Sequence, residues 1–162
     1  MLSRSEEFTL VAPAIALIVG LVVSWANFAI QRWRFRVDRL NVAIDHLSVE
    51  INSTADLATE YWLIDVTDKM SRGRAAYLES KLIGCQTRLS SLLLAIEALD
   101  GQIKTKTTWD KLPTLFDVMT GGSFSAASRQ PDAARAQSVQ SIGAEIVGEL
   151  RTVAARRSKE WT

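Results

Sequence analysis

The longest uncharged stretch of the chain lies near its N-terminus. No Asp, Glu, Lys or Arg occurs from Phe8 to Ile30. In an α-helix this stretch extends about 34 Å, slightly more than the roughly 30 Å hydrocarbon core of a bilayer. The sequence therefore predicts one transmembrane helix, residues 8–30, after a short tail of residues 1–7.

A cleavable signal peptide is the alternative explanation of this stretch. Its leading end carries Glu6 and Glu7 beside Arg4, whereas a signal peptide begins with a basic region and has a shorter apolar run. These features favour a retained anchor.

Arginines on the C-terminal side of the stretch predict its orientation. Arg32, Arg34, Arg36 and Arg39 follow it, whereas only Arg4 and the α-amino group precede it. Because basic flanks stay on the cytoplasmic side, we expect the N-terminus outside and residues 31–162 in the cytoplasm. Residues expected at the membrane surface here are Arg32, Trp33, Arg34 and Arg36.

Small residues recur on one face of the predicted span. Four are spaced by four residues, and an amide follows: Ala12, Ala16, Gly20, Ser24 and Asn27. Small side chains let two membrane helices approach closely, and an amide in lipid seeks a partner across the contact. The pattern predicts a homo-oligomer interface. The alternatives are chance, since Ala and Gly are common in membrane helices, and a pore lined by Asn27.

Beyond the span, two apolar seams with alternating spacings of four and three predict two long helices. The first seam comprises Trp33, Val37, Leu40, Ile44, Leu47, Ile51, Thr54, Ala58 and Tyr61. The second comprises Leu78, Leu82, Cys85, Leu89, Leu92, Ile96 and Leu99. We assign helices to residues 31–64, continuous with the span, and 75–100. The polar segment from Asp65 to Arg74, with Gly73, is interpreted as the turn of an antiparallel hairpin.

Two further helices are expected. Residues 110–119 form a short helix that begins before Pro113 and ends at a Gly-Gly pair, and residues 132–157 form a long helix with Asp132 as its N-cap. The fold class is therefore all-α, a cytoplasmic helical bundle behind one transmembrane helix.

The second long helix should return the chain toward the membrane, because residues 31–64 extend about 50 Å outward and residues 75–100 come back about 39 Å. There Lys104, Lys106 and Trp109 form a basic and aromatic cluster suited to anionic headgroups. An ordinary solvated loop before a helix is the alternative.

A loop rich in small and hydroxyl residues precedes the last helix. Its candidate partner-binding residues are Gly121, Gly122, Ser123, Phe124 and Arg129. A Gly-Gly turn with an arginine can hold a phosphate or carboxylate, but the loop matches no nucleotide-binding motif. A structural helix cap and linker is the favoured interpretation.

No arrangement of residues suggests catalysis. His46 is the sole histidine and Cys85 the sole cysteine, so no ligand set for zinc and no Cys-His pair is visible. Asp56 and Glu60 share a helix face but are interpreted as solvated acids. We expect no enzyme, metal or cofactor.

Charge gives little reason to expect nucleic acid as a partner. The chain has 19 Lys and Arg against 18 Asp and Glu, so no net field attracts a polyanion. The basic C-terminal tail, with Arg151, Arg156 and Arg157, is explained by the helix dipole, with nucleic-acid contact as the alternative.

The stretch from Phe116 to Arg129, followed by Pro131, Asp132 and Arg135, resembles a segment of small uncharacterised bacterial proteins with an N-terminal membrane anchor. In layout alone, the chain is similar to membrane effectors of bacterial anti-phage systems. The resemblance implies the bacterial inner membrane and carries over no functional residue.

These observations lead to two functional hypotheses. The first is a non-enzymatic, single-pass membrane protein that self-associates and presents its helical bundle to a cytoplasmic protein partner. The alternative is a membrane-perturbing effector of a defence or toxin system, restrained until it is triggered.

Overall fold

The structure is a computed structural model that describes the backbone of residues 4–67, 69–99 and 105–159, and the side chains of those within 15–156. It contains four helices: α1 (Arg4–Leu63), α2 (Lys69–Leu99), α3 (Lys106–Thr120) and α4 (Ala133–Lys159). The described residues include no strand. The predicted all-α class is confirmed.

The chain divides into two compact units, residues 1–38 and 39–162. The first unit is the N-terminal part of α1. From residue 15 to residue 30 every side chain is exposed except half-buried Ala26, so no part of the described chain covers this segment.

The second unit has a core to which all four helices contribute. Seven positions of the first predicted seam are buried in it: Leu40, Ile44, Leu47, Ile51, Thr54, Ala58 and Tyr61. This burial confirms the seam over these positions. Each fully buried Leu or Ile side chain contributes about 1.5–3 kcal/mol to stability through the hydrophobic effect.

The second seam is correct for five of its seven positions. Leu78, Leu82, Cys85, Leu89 and Ile96 are buried in α2. Leu93 is also buried, whereas Leu92 is half-buried and Leu99 is exposed. The buried position thus moves from Leu92 to Leu93, the seam is regained at Ile96, and burial ends before Leu99.

The start of α2 differs from the prediction, because the helix begins at Lys69 rather than at residue 75. Gly73 lies inside the helix and not in a turn. Between the two helices, the Thr67 backbone N–H donates to Asp65 Oδ1 at 3.1 Å. Residues 69–74 are exposed except half-buried Ser71, and Arg72 ties this first turn to the preceding segment by donating to the carbonyls of Val66 and Thr67, against the cost of a helical glycine, about 1 kcal/mol.

Helices α1 and α2 run antiparallel in the second unit. Arg88 pairs with Glu50 at 2.7 Å, and Arg74 pairs with Glu60 at 2.6 Å. The earlier glutamate of α1 thus pairs with the later arginine of α2, as two antiparallel helices require. These exposed pairs contribute little free energy; the buried apolar residues hold the hairpin together.

Helix α3 begins at Lys106 rather than at residue 110 and ends at Thr120. Pro113 consequently lies inside the helix, whereas the sequence predicts it in the first turn. Proline lacks the N–H that would donate to the carbonyl four residues earlier, that of Trp109, and the helix nevertheless continues. Buried Leu112, Leu115 and Met119 fix it to the core on both sides of the proline.

Helix α4 lies against α1 and α3. A methyl group added at Gly143 would be 3.5 Å from Ala55 Cβ, which shows the closeness of α4 to α1. Gln140 donates hydrogen bonds of 3.0 Å to Asp56 and to Thr59. The predicted N-cap is confirmed, since Asp132 Oδ1 accepts the backbone N–H of Arg135 at 2.9 Å.

Candidate functional site

Aromatic and arginine side chains meet where α1 ends, α3 ends and α4 begins. We call this group the Arg129 cluster. It comprises Tyr61 and Trp62 from the last turn of α1, Phe124 and Arg129 from the loop between α3 and α4, and Arg135 from the first turn of α4. The cluster thus joins three segments that are far apart in the sequence.

Arg129 is the most deeply buried charged residue of the cluster, with 4 % of its surface exposed. Its guanidinium carbon lies 4.1 Å from the centre of the Tyr61 ring and 5.2 Å from that of Trp62. Its Nη1 approaches the Trp62 carbonyl at 3.5 Å. A cation at the C-terminal end of a helix is stabilised by the helix dipole, and the ring faces add cation–π attraction.

One nitrogen of Arg129, Nη2, is buried and has no hydrogen-bond acceptor among the described residues. Such a group costs free energy. The contacts of Arg129 thus lie with Tyr61 and Trp62 in the last turn of α1.

The Tyr61 hydroxyl fastens the same loop. It accepts a hydrogen bond of 2.9 Å from the backbone N–H of Ser125 and donates one of 3.0 Å to Glu79 Oε1. Burial raises the pKa of Tyr61 above its ordinary value, and the hydrogen bond to Glu79 adds to the shift; the Ser125 N–H and Arg129 oppose it. The hydroxyl therefore stays protonated, and able to donate, throughout the neutral range.

Trp62 connects α1 to α3 and α4. Its indole Nε1–H donates to the Met119 carbonyl at 3.1 Å, and its own carbonyl accepts the Asp132 N–H at 2.8 Å. The Arg135 guanidinium lies 4.6 Å from its ring centre and donates from Nη1 to the Gly121 carbonyl at 2.7 Å. These bonds hold the start of the loop against α4.

The two glycines at the start of the loop are required by the backbone. A Cβ at Gly121 would lie 2.5 Å from the Asp117 carbonyl oxygen. Gly122 has φ of +62°, and a Cβ there would lie 2.8 Å from Arg135 Nη2. Glycine is the residue that adopts this conformation without strain.

The five predicted loop residues are therefore placed in different surroundings. Arg129 is buried, Gly121 and Phe124 are half-buried, and Gly122 and Ser123 are exposed. Phe124 packs on Tyr61 with ring centres 5.0 Å apart. The exposed surface of the loop consists mainly of Ser123, Ser125, Ala126, Ala127, Ser128 and Gln130.

A cavity of about 290 Å³ lies beside this loop, lined by Asp65, Val66, Thr67, Arg72 and residues 127–130. Arg72 is already bonded there, donating to the carbonyls of Val66 at 3.2 Å and Thr67 at 3.1 Å. The polar groups that line the cavity are the Asp65 carboxylate, hydroxyls and backbone groups. Both of its arginines, Arg72 and Arg129, already donate hydrogen bonds to backbone carbonyls.

A larger cleft of about 670 Å³ lies between α3 and α4. Lys111 crosses it, with Nζ at 2.9 Å from Glu145 and 2.8 Å from Glu149. The hydrogen bond from Lys111 to Glu149, followed by that to Glu145, raises the pKa of Lys111 above its ordinary value. The charges of the cleft are thus largely compensated within the chain.

The residues predicted to contact the membrane surface are placed separately. Arg32, Arg34 and Arg36 are exposed and Trp33 is half-buried. Lys106 is exposed in the first turn of α3, and Lys104 lies outside the described residues. Trp109 is half-buried and packs on the core, and its Nε1–H donates to Glu97 Oε1 at 2.6 Å. Trp109 therefore has a structural partner, Glu97, that the sequence did not indicate.

The predicted oligomer interface lies on the exposed part of α1. Ala16, Gly20, Ser24 and Asn27 are exposed, and the side chain of Ala12 lies outside those described. A Cβ added at Gly20 would meet nothing within 4 Å. Within one protomer, the backbone at Gly20 therefore has room for a larger residue.

Among the described residues, two helices are long and apolar enough to cross a membrane: α1, in its part from Ile15, and α2. They differ in burial, since the apolar window of α1 is uncovered while 28 % of that of α2 is buried.

No family model, curated protein or solved structure matches the chain.

Proposed function

We propose that this chain is a non-enzymatic, single-pass protein of the bacterial inner membrane, with its N-terminus outside. Its N-terminal span self-associates, and its C-terminal unit is presented to a protein partner in the cytoplasm. The observation that carries the proposal is the exposed apolar segment of α1.

In that segment, large apolar side chains are exposed around the helix, except on the face formed by Ala16, Gly20, Ser24 and Asn27. Ile15, Leu21 and Phe28 are 57–62 % exposed, and Trp25 is 72 % exposed. Contact of such a surface with water is unfavourable by about 25 cal/mol per Å². A lipid environment removes this cost, and the charge-free length of the segment matches the thickness of the bilayer.

α2 passes the same test of length and composition, but its structure supports a different role. Seven of its residues are buried in the core of the second unit. One face of α2 is therefore already covered by protein. This contrast favours a single span formed by α1.

Self-association is supported by the surface around Gly20. Ala16, Gly20 and Ser24 are exposed and lack long side chains, which allows close approach of a second helix. A partner helix in lipid would also give Asn27 a hydrogen-bonding group.

Presentation to a protein partner is supported by the loop between α3 and α4. The Arg129 cluster fixes both ends of this loop, whereas Ser123 and residues 125–128 are exposed. A loop held in one conformation loses little entropy when it binds. We propose these exposed residues as the partner contact, with Arg129 as a positioning residue.

Membrane insertion is tested by washing membranes that contain the full chain with alkaline carbonate. Retention in the pellet is expected, as is protection of residues 31–162 from protease added to intact spheroplasts. Release of the intact chain into the supernatant would refute the membrane assignment.

The oligomer face is tested by Gly20→Leu, with chemical crosslinking in membranes. We expect the dimer fraction to fall strongly, because leucine blocks close approach. Since Gly20 has free space within its protomer, misfolding does not explain a loss. Val19→Leu, at an exposed neighbouring position, is the matched control. Equal crosslinking by both variants would exclude this face.

A further inference from the structure

Two large apolar side chains lie on the side of α1 that faces away from the core of the second unit. Val42 and Val49 are 67 and 65 % exposed. They are one heptad apart, so they lie on the same face of the helix. The core residues Ile44, Leu47 and Ile51 occupy the opposite face. Packing within one protomer therefore does not account for the two valines.

Charged groups flank these valines asymmetrically. Asp45 lies on one side of the line joining Val42 and Val49, and Arg39 and His46 lie on the other. All three are exposed, and no ion pair engages them within the described chain. We call Arg39, Val42, Asp45, His46 and Val49 the outer α1 face.

The sequence repeats this arrangement. Residues 35–41 read FRVDRLN, residues 42–48 read VAIDHLS, and residues 49–55 read VEINSTA. The third and sixth positions of the central repeat, Ile44 and Leu47, are buried in the core. The first position faces solvent in that repeat and is apolar in all three. A heptad repeat that keeps an apolar outward residue is typical of a helix with a second helical partner.

We propose that the outer α1 face packs against the same face of a second copy of this chain, with the two helices parallel. In a parallel two-fold arrangement the Asp45 side of one helix meets the His46 side of the other. An antiparallel arrangement would place Asp45 against Asp45 and His46 against His46. Charge complementarity therefore selects the parallel arrangement.

The contact deepens the proposed function and rests on it in one respect. Two copies with the same orientation in one membrane share the same direction of α1, so a parallel contact forms without rearrangement. His46 donates an N–H to Asp45 of the second copy in either protonation state. Val42 and Val49 are then removed from water at the centre of the contact.

Disulfide crosslinking of the full chain in membranes tests the contact. In a Cys85→Ala background, Val42→Cys and Val49→Cys are each oxidised with copper phenanthroline. A parallel contact brings each cysteine next to its own copy, so both variants form dimers. Thr87→Cys, exposed on α2, is the control and stays monomeric. Dimers formed only when the Val42→Cys and Val49→Cys chains are mixed would show an antiparallel contact and overturn the proposal.

Exchanging the charges at Asp45 and His46 tests whether they select the parallel arrangement of the two helices. Asp45→Lys should lower the dimer yield of Val42→Cys about fivefold, because the substituted ammonium group then faces the basic side of the second copy. The double variant Asp45→Lys with His46→Asp restores opposite charges and should recover the yield. An unchanged yield in the single variant, or no recovery in the double, contradicts the proposal.

Ser24→Cys in the span separates this proposal from the proposed function. Crosslinking at Ser24 without crosslinking at Val42 and Val49 overturns the outer α1 contact and leaves the self-associating span standing. Release of the chain by carbonate refutes the membrane assignment, while the cysteines still report directly on the contact between copies.

Discussion

The guanidinium of Arg129 lies 4.1 Å from the centre of the Tyr61 ring, and this contact attaches the loop after α3 to the last turn of α1. The Tyr61 hydroxyl completes the attachment by accepting the Ser125 N–H. Ring and arginine are both buried. The loop therefore depends on α1 for its conformation.

Replacing Arg129 with alanine should destabilise the second unit by about 2–3 kcal/mol, because the cation–π contacts and the charge at the C-terminus of α1 are lost. Arg129→Lys should lie between alanine and wild type, since lysine keeps the charge but not the planar group. Gln130→Ala, at an exposed neighbour, is the control. Thermal unfolding of the detergent-solubilised chain measures the effect, and equal stability of all variants would show that Arg129 does not hold the loop.

Gly122→Ala should cost about 1–2 kcal/mol. Its φ of +62° and the 2.8 Å approach to Arg135 both oppose a side chain. Gly148→Ala is the matched control, because Gly148 is helical and has nothing within 4 Å; it should be neutral or stabilising by up to about 1 kcal/mol. Denaturant unfolding followed by circular dichroism compares the two. A neutral Gly122→Ala would contradict the strained turn.

Leu93 and Leu94 are adjacent in α2 but should respond differently to truncation. Leu93 is fully buried and Leu94 is 56 % exposed. Leu93→Ala should cost about 2–4 kcal/mol, and Leu94→Ala less than about 0.5 kcal/mol. Equal losses in unfolding free energy would mean that the buried face of α2 is wrongly assigned.

The ion pairs of Lys111 should give stability that disappears at high pH. Glu149 and Glu145 raise the pKa of Lys111 above 10.5 in the folded state. The stabilisation is therefore fully present below that pH and is lost as pH rises through the folded-state pKa. The stability difference between wild type and Lys111→Met should be constant near neutral pH and shrink above about pH 10.5.

Lys106→Met, on the same helix at an exposed position, is the control for this titration. The difference in unfolding free energy between wild type and Lys106→Met should not shrink in the alkaline range. A Lys111→Met difference that stays constant through the alkaline range would show that the pairs with Glu145 and Glu149 do not stabilise the fold.

The apolar periodicity was sufficient to predict much of the fold. From Leu40 to Tyr61, every position of the predicted seam is buried. Such positions are predictable because helical spacing places them on one face whatever they contact. Asp132 is likewise predictable as the N-cap of α4, since a cap depends on residues only a few positions away.

Helix starts were predicted less well. α2 and α3 begin at Lys69 and Lys106, earlier than expected. In α3 the extra turn is held by distant groups, because Thr105 and Trp109 both hydrogen-bond to Glu97 in α2. Nothing in the local sequence marks these partners. Likewise, Gly73 suggests a turn by its intrinsic preference, but it lies inside α2, whose first turn is bonded to the preceding segment through Arg72.

The amino-acid sequence alone determined the helical class, the buried faces of α1 and the charge-free segment proposed to lie in the membrane. These features depend on residues close together in the chain. Only the tertiary structure decided that Arg129 is buried, because its partners Tyr61 and Trp62 belong to α1, 67 residues earlier in the case of Trp62. Burial of a polar side chain is settled by contacts between distant segments, and local spacing carries no record of them.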